Sequence, residues 1–110
     1  MVIDFEKIEE LANPQFKGGV GTTYFRTSYD GHNKIMRGRL EPGCSIGYHV
    51  HETNIEILYI ISGDARCVTD EGEEFLSAGM CQYCAKGHGH GLINNSPAEP
   101  LIFFAVVTEQ

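Results

Sequence analysis

Three potential metal ligands lie close together between residues 43 and 63. His49 and His51 are two positions apart, and Glu56 follows five positions after His51. Side chains two positions apart on a β-strand point to the same face, so the two imidazoles can bind one ion. The polar residues 52–54 can turn the chain, so that the next strand brings the Glu56 carboxylate alongside the imidazoles. Two imidazoles and a carboxylate on adjacent strands predict a first-row transition-metal site.

A fourth potential ligand, His90, lies in a second glycine-rich stretch at residues 79–94. It precedes Leu92 and Ile93, so it can occupy a strand of its own. A third imidazole would complete a set of three nitrogen donors and one carboxylate, which suits a transition metal ion.

The spacing in these two stretches resembles the two sequence motifs of the cupin superfamily, and in particular those of small single-domain microbial cupins. The first motif is matched over residues 43–63 and the second over residues 79–94. The proline of the second motif is replaced by Ala85, which loosens a turn but removes no ligand. The matching positions are Gly43, His49, His51, Glu56 and Gly63 in the first motif, and Gly79, Gly87, His90 and Asn94 in the second.

The resemblance implies one cupin domain over residues 1–110, folded as an RmlC-like jelly-roll barrel with a metal ion inside. His49, His51, Glu56 and His90 would hold the ion. A divalent transition metal suits such ligands, whether iron, manganese, nickel, copper or zinc. The motif assigns the ligand role to His90, so His88, on the same predicted strand face, is expected at the rim of the site.

A centre of this kind has open coordination positions, which metal-dependent catalysis requires. We therefore predict an enzyme that acts on a small polar metabolite, by dioxygenation or by metal-assisted isomerisation or elimination. Glu56 and His88 are the candidate catalytic groups. The alternative is a non-catalytic cupin that binds a small molecule such as a sugar, or that acts as a sensor. The superfamily includes all of these activities, so the resemblance leaves the choice open.

The elements that must position these ligands are predominantly strands. Short β-rich segments separated by glycine turns, roughly every 8 to 12 residues, predict an all-β antiparallel sandwich or barrel. Strict alternation along residues 44–51 places Gly47, His49 and His51 on one face, where Gly47 would leave room for a ligand. The predicted strands cover residues 22–28, 34–40, 44–51, 55–61, 65–69, 74–77, 81–84, 89–94 and 101–108.

One short amphipathic helix is predicted near the amino terminus. Apolar residues at helical spacing extend over residues 4–12, with Asp4 as the N-cap and Pro14 as the stop. This helix would lie on the outside of the strands.

The chain has 110 residues and a net charge of −7, from 15 acidic and 8 basic side chains. This length suits one domain, and the negative field disfavours nucleic acids and anionic membranes as partners. No apolar run approaches the roughly 20 residues of a membrane span. The first residues lack the basic head and apolar run of a signal peptide, so we expect a cytoplasmic protein.

Two further expectations concern the thiols and the partners. Without a secretory signal, we expect Cys44, Cys67, Cys81 and Cys84 to be reduced and buried. Exposed sheet edges and the apolar strand at residues 101–108 predict a surface for another protein chain, and we expect a homodimer. The other predicted partner is a small-molecule ligand inside the barrel.

Overall fold

The computed structural model describes residues 1–110 and consists of ten antiparallel strands in two sheets. Every strand predicted from the sequence is present, and one further strand precedes them. No helix is long and apolar enough to cross a membrane. The strands are β1 (Leu11–Pro14), β2 (Thr22–Tyr29), β3 (Asn33–Leu40), β4 (Ser45–Val50), β5 (Asn54–Ser62), β6 (Asp64–Thr69), β7 (Gly72–Ser77), β8 (Cys81–Cys84), β9 (Gly89–Asn94) and β10 (Leu101–Glu109).

The six-stranded sheet has the order β1-β2-β3-β10-β5-β8, and the four-stranded sheet has the order β4-β9-β6-β7. Their facing sides enclose one hydrophobic core, in which Leu58 and Ile60 of β5 and Phe103 of β10 are fully buried. This arrangement confirms the predicted all-β jelly-roll fold. The two sheets do not close into a barrel, because their edge strands are not hydrogen-bonded to each other.

The predicted amino-terminal helix is wrong beyond its first turn. Asp4 caps a single 3-10 turn, Phe5–Lys7, through a hydrogen bond from Glu6 N to Asp4 Oδ1 of 3.1 Å. The chain is already extended at Ile8, and β1 pairs with β2 where the helix was expected to continue. The Arg26 guanidinium donates to the main-chain carbonyls of residues 5 and 8. These contacts, together with strand pairing, satisfy backbone groups that a helix would have paired internally.

The outer face of the six-stranded sheet is covered over only part of its width. Phe5 packs edge-on against Phe104 of β10, with 6.2 Å between the ring centroids. An ion pair between Glu6 and Arg37 holds the same segment over β3. The part of this face that β5 and β8 form, here called the β5–β8 patch, includes four apolar or aromatic residues that are between 39% and 61% exposed: Ile57, Tyr59, Ile61 and Tyr83.

All four cysteines are free thiols in the structure. Cys67 and Cys84 are buried as predicted, and burial raises the pKa of Cys67 to about 12 and that of Cys84 to about 11. Cys44 is only half-buried, and Cys81 is exposed, so the prediction of burial is wrong for Cys81. Cys81 lies on edge strand β8, where residues three apart point to opposite faces.

A close contact in the core is open to a direct test. Gly38 of β3 lies against Phe103, and a methyl group at position 38 would overlap the aromatic ring. We expect Gly38→Ala to lower the free energy of unfolding by about 1–3 kcal/mol, because the core becomes overpacked. In a Phe103→Leu background the added methyl has room. Urea denaturation should therefore show a smaller loss in the double variant than the sum of the single losses, by roughly 0.5 kcal/mol or more. Strictly additive losses would contradict this packing.

Candidate metal centre

The four predicted ligands come together between the two sheets. His49 lies on β4, His51 directly follows β4, Glu56 lies on β5 and His90 lies on β9. One donor atom from each residue lies within 4.8 Å of those of the other three. His49 and His90 are direct cross-strand partners in the four-stranded sheet, whereas Glu56 approaches from the opposing sheet.

A β-bulge in β4 brings the two nearby imidazoles to the interior. The pairing of β4 with β9 shifts register between Ile46 and His49, so both of these residues face inward although they are three positions apart. Strict alternation is therefore wrong for this strand. Gly47 does not leave room for a ligand, because a methyl group there would overlap the main-chain oxygen of Lys17.

Each imidazole is oriented by a hydrogen bond at Nδ1, the ring nitrogen that faces away from the cluster. All three partner atoms are carbonyl-type oxygens, which can only accept, so each Nδ1 carries the proton. The three Nε2 atoms then present lone pairs toward one another and toward Glu56. The pairs are His49 with Gly47 O at 2.8 Å, His51 with Asn54 Oδ1 at 2.6 Å, and His90 with Gln82 Oε1 at 2.9 Å.

The two side-chain amides in this set are themselves oriented by carboxylates. Asn54 Nδ2 donates to Glu109 Oε1 at 3.3 Å, and Gln82 Nε2 donates to Glu74 Oε1 at 3.4 Å. A carboxylate only accepts, so the amide nitrogen must face it and the amide oxygen must face the imidazole. The orienting roles of Asn54 and Gln82 were not predicted from the sequence. The available signal for such a role was Gln82, a polar residue at an inward-facing position of β8, beside the strand that carries Glu56.

The centre of the cluster requires positive charge. Glu56 Oε1 lies 2.8 Å from His90 Nε2 and 3.1 Å from His51 Nε2, and these two nitrogens are 3.1 Å apart. With every Nδ1 protonated, four acceptors converge on one point, and only a proton or a metal cation can satisfy them. The donor set, three imidazoles and a carboxylate, fits a divalent transition metal.

The pKa shifts in the cluster have the same cause. Burial is the largest single influence on Glu56 and raises its pKa, but hydrogen bonding to the three imidazoles, which requires a proton on Nε2, outweighs burial and holds the pKa of Glu56 well below its usual value. The hydrogen bond to Glu56 raises the pKa of His51 above the ordinary 6.5. A cation is therefore favoured here, and a metal ion competes with a proton for the same place.

His88 is not brought to the cluster. It is exposed, and its Nδ1 lies 2.9 Å from Oδ2 of Asp70, in the turn between β6 and β7. The predicted strand parity with His90 does not hold because residues 85–88 form a turn, closed by a hydrogen bond from His88 N to Ala85 O, and β9 begins only at the next residue.

The cluster lies in a cavity of about 370 Å³. Its inner wall is apolar, and Lys17, Lys34, Glu52 and Thr53 line it with the cluster residues. Glu52 is the single carboxyl group of the lining besides Glu56. The apolar side chains of the wall include Phe16, Phe25, Met36, Ile46, Leu58 and Leu92.

The hydrogen bond from His90 to Gln82 predicts a loss of metal affinity on substitution. Gln82→Met keeps the side-chain length but removes the oxygen that fixes the His90 ring. We expect zinc or manganese to bind about 10–100-fold more weakly, as is usual when such an orienting partner is lost. Competition with a chromophoric chelator measures the affinity, and Gln110→Met at the exposed carboxyl end is the control. Equal affinities in the two variants would contradict the orienting role.

Comparison with known proteins places the fold and the cluster in a family. Residues 36–107, which include all four cluster residues, match the family model of the cupin domain. The oxalate-binding protein of Thermotoga maritima is 33% identical over 95 residues, covering 83% of this chain and 77% of that protein. A crystal structure from Thermotoga maritima, described as a predicted oxalate decarboxylase, matches over the full length of both chains with a TM-score of 0.92 and 25% identity.

A sugar phosphate isomerase of the cupin superfamily from Silicibacter pomeroyi shares the fold at 21% identity. Its TM-score is 0.78, and the match covers 100% of this chain and 76% of that one. The family model spans more than half of the residues, and the four ligand positions of the motifs form the observed cluster. The chain belongs to the cupin family.

Proposed function

We propose that this cupin holds a divalent transition metal ion through His49, His51, Glu56 and His90 and binds a small carboxylate on it, with oxalate as the first candidate. The observation that carries the proposal is the convergence of three oriented Nε2 lone pairs and one carboxylate at a single point in the cavity. Iron, manganese, nickel, copper and zinc all suit this donor set.

The class of ligand follows from the open coordination positions of a bound ion and from the residues that line the cavity around the cluster. A bound divalent ion would supply further coordination positions, and it would attract anionic oxygen donors. The surrounding wall is apolar and offers few hydrogen-bonding groups, so a ligand would be held mainly through the ion and the polar residues at the edge of the cavity. The curated relative that binds oxalate supports a small dicarboxylate.

Binding has better support than the dioxygenase or isomerase chemistry predicted from the sequence. Of the two predicted catalytic groups, Glu56 is engaged by three imidazoles, and His88 lies outside the cavity. The second candidate is decarboxylation, in which hydrogen oxalate breaks its carbon–carbon bond to give formate and carbon dioxide. The structural relative described as a predicted oxalate decarboxylase favours it. In such a reaction the acidic proton of hydrogen oxalate ends on the carbon of formate, and Glu52 is the carboxyl group of the cavity lining that would relay it, accepting that proton and passing one to carbon.

The test is metal analysis followed by calorimetry with oxalate. Protein prepared without chelator or affinity tag should carry, or take up, about one transition metal ion per chain. Oxalate should bind only to the loaded protein. A double substitution, His49→Ala with His51→Ala, should abolish both, whereas His32→Ala in the β2–β3 turn should change neither. Failure to take up any metal on reconstitution would sink the proposal. Formate release from oxalate would move the protein from binder to decarboxylase.

We also propose that two copies pair through the β5–β8 patch. The patch carries no charged side chain, so two copies can face each other without repulsion although the chain has a net charge of −7. It lies on a strand at the sheet edge and its neighbour, next to the part of the face that the amino-terminal segment already covers. Burying these exposed apolar side chains against their equivalents would stabilise a two-fold dimer.

Sedimentation equilibrium tests this pairing. The wild-type mass should be twice the 12.2 kDa of one chain. Replacing Ile57 and Tyr83 together by glutamate should give a monomer, because like charges would then face each other across the two-fold axis. Tyr29→Glu, at an equally exposed tyrosine on β2, is the control and should remain dimeric. A wild-type mass equal to one chain contradicts the proposal.

The thiols bear on where the protein works. All four cysteines are free, and two of them are buried with raised pKa values. This supports the cytoplasmic location expected from the sequence, because structural disulfides are rare in that reducing compartment.

A further inference from the structure

We propose that Lys17 is the anion-binding residue of the cavity, and that it contacts the outward-facing carboxylate oxygens of a dianionic ligand whose other oxygens are bound at the metal centre. The inference rests on the proposed function and adds the selection of dianions over monoanions. No motif drew attention to this lysine, which lies in a short turn between β1 and β2.

The turn that carries Lys17 has an unusual backbone. Gln15 and Lys17 have φ values of 49° and 55°, and they are the only non-glycine residues of the chain with positive φ. Side chains are disfavoured in this region, so the surrounding contacts must hold the conformation. Hydrogen bonds from Gln15 N to Gly21 O at 2.7 Å and from Gly19 N to Phe16 O at 3.0 Å close the turn.

The same turn is packed directly on β4, the strand that carries His49. Gly47 has no side chain where the main-chain oxygen of Lys17 lies, and a methyl group at Gly19 would overlap the backbone of Ser45. Ser45 also bonds the main chain of residue 20 in both directions, at 2.8 and 2.9 Å. The position of Lys17 relative to the metal ligands is therefore fixed by backbone contacts and not by the lysine side chain.

The ammonium group of Lys17 has no acidic partner. Its Nζ lies 5.6 Å from the ring of its neighbour Phe16, and it forms no ion pair, whereas Arg37, Arg39 and Arg66 each pair with a glutamate. Phe16 and Lys17 both line the cavity that contains the cluster, so the ammonium group lies at the edge of the same space. An unpaired cation beside a metal centre is available to an anionic ligand.

The charges of the cavity match a dianion. Glu52 and Glu56 contribute two negative charges to the lining, and Lys17 and Lys34 contribute two positive charges. These cancel, so a bound divalent ion leaves two positive charges for the ligand to neutralise. The two lysines differ in position: Lys34 lies beside Tyr29, the last residue of β2, whereas the turn of Lys17 packs on β4, the strand that carries His49. A short dicarboxylate such as oxalate can bind the ion and still present carboxylate oxygens to Lys17.

Calorimetry on metal-loaded protein tests the role of Lys17. We expect Lys17→Gln to weaken oxalate binding by about 10–100-fold, the cost of a lost charge-assisted hydrogen bond. The affinity for glycolate, a monoanion of similar size, and the affinity for the metal itself should change by less than about threefold, since neither depends on this contact. Lys17→Arg should restore most of the oxalate affinity. Lys7→Gln, an exposed lysine of the first 3-10 turn, is the matched control.

The outcomes separate this inference from the proposed function. Wild-type protein that holds metal but binds no oxalate would overturn both. Oxalate binding that is equally tight in wild type and Lys17→Gln would overturn the role of Lys17 alone, and so would an equal loss for oxalate and glycolate. If Lys17→Gln also loses metal, the oxalate and glycolate affinities are measured in Lys17→Asn instead. Asparagine tolerates the left-handed backbone at this position and likewise lacks the charge. A selective loss of oxalate in that variant supports the inference.

Discussion

Four hydrogen-bond acceptors aimed at one buried point are the constraint on which the rest of this structure depends. Three imidazoles, each with its proton on Nδ1, direct Nε2 lone pairs toward Glu56, and without positive charge between them this arrangement is costly. The contacts that orient the imidazole rings must hold this unfavourable arrangement in place. Asn54 and Gln82 must keep their amide oxygens inward, and each does so because a glutamate on another strand accepts from the amide nitrogen. The polar network thus extends from the cluster to Glu109 at the end of β10 and to Glu74 on β7.

Both sheets contribute residues to the cluster. The four-stranded sheet supplies His49 and His90 as a cross-strand pair, and the six-stranded sheet supplies Glu56, with Gln82 on the adjacent strand β8. The spacing between the sheets is set by their shared core, in which Ile60 and Phe103 of the six-stranded sheet are buried together with Ile46 and Leu92 of the four-stranded sheet. Packing density is thereby linked to coordination geometry, since a change in sheet separation would move the carboxylate relative to the imidazoles.

The cluster residues and most strand positions could be predicted from the sequence, because its strongest signals are periodic. Two histidines two positions apart and Glu56 in an apolar strand give the correct cluster, and strand positions follow from glycine turns. Local departures could not be read. The bulge after Ile46 changes which residues of β4 face inward, and the turn before β9 places His88 outside the cluster. Near the amino terminus, Arg26 donates hydrogen bonds to carbonyl groups that a helix would have paired internally. Each of these departures depends on a contact with a segment distant in sequence, and so do the orienting roles of the two amides. The register between two such strands cannot be predicted from the sequence of either strand alone.

Gly47 connects the cluster with the turn that carries Lys17. Its carbonyl oxygen accepts the Nδ1 proton of His49, and the absence of its side chain lets the main chain of Lys17 approach β4. One residue therefore orients His49 and seats the turn that carries Lys17. A side chain at this position would displace the turn and disturb the carbonyl together, so the orientation of His49 and the position of the turn are coupled through the backbone of β4. With a bound divalent ion, this cavity would hold two neighbouring positive groups in a chain whose net charge is −7, and anions would be attracted to it rather than to the rest of the surface.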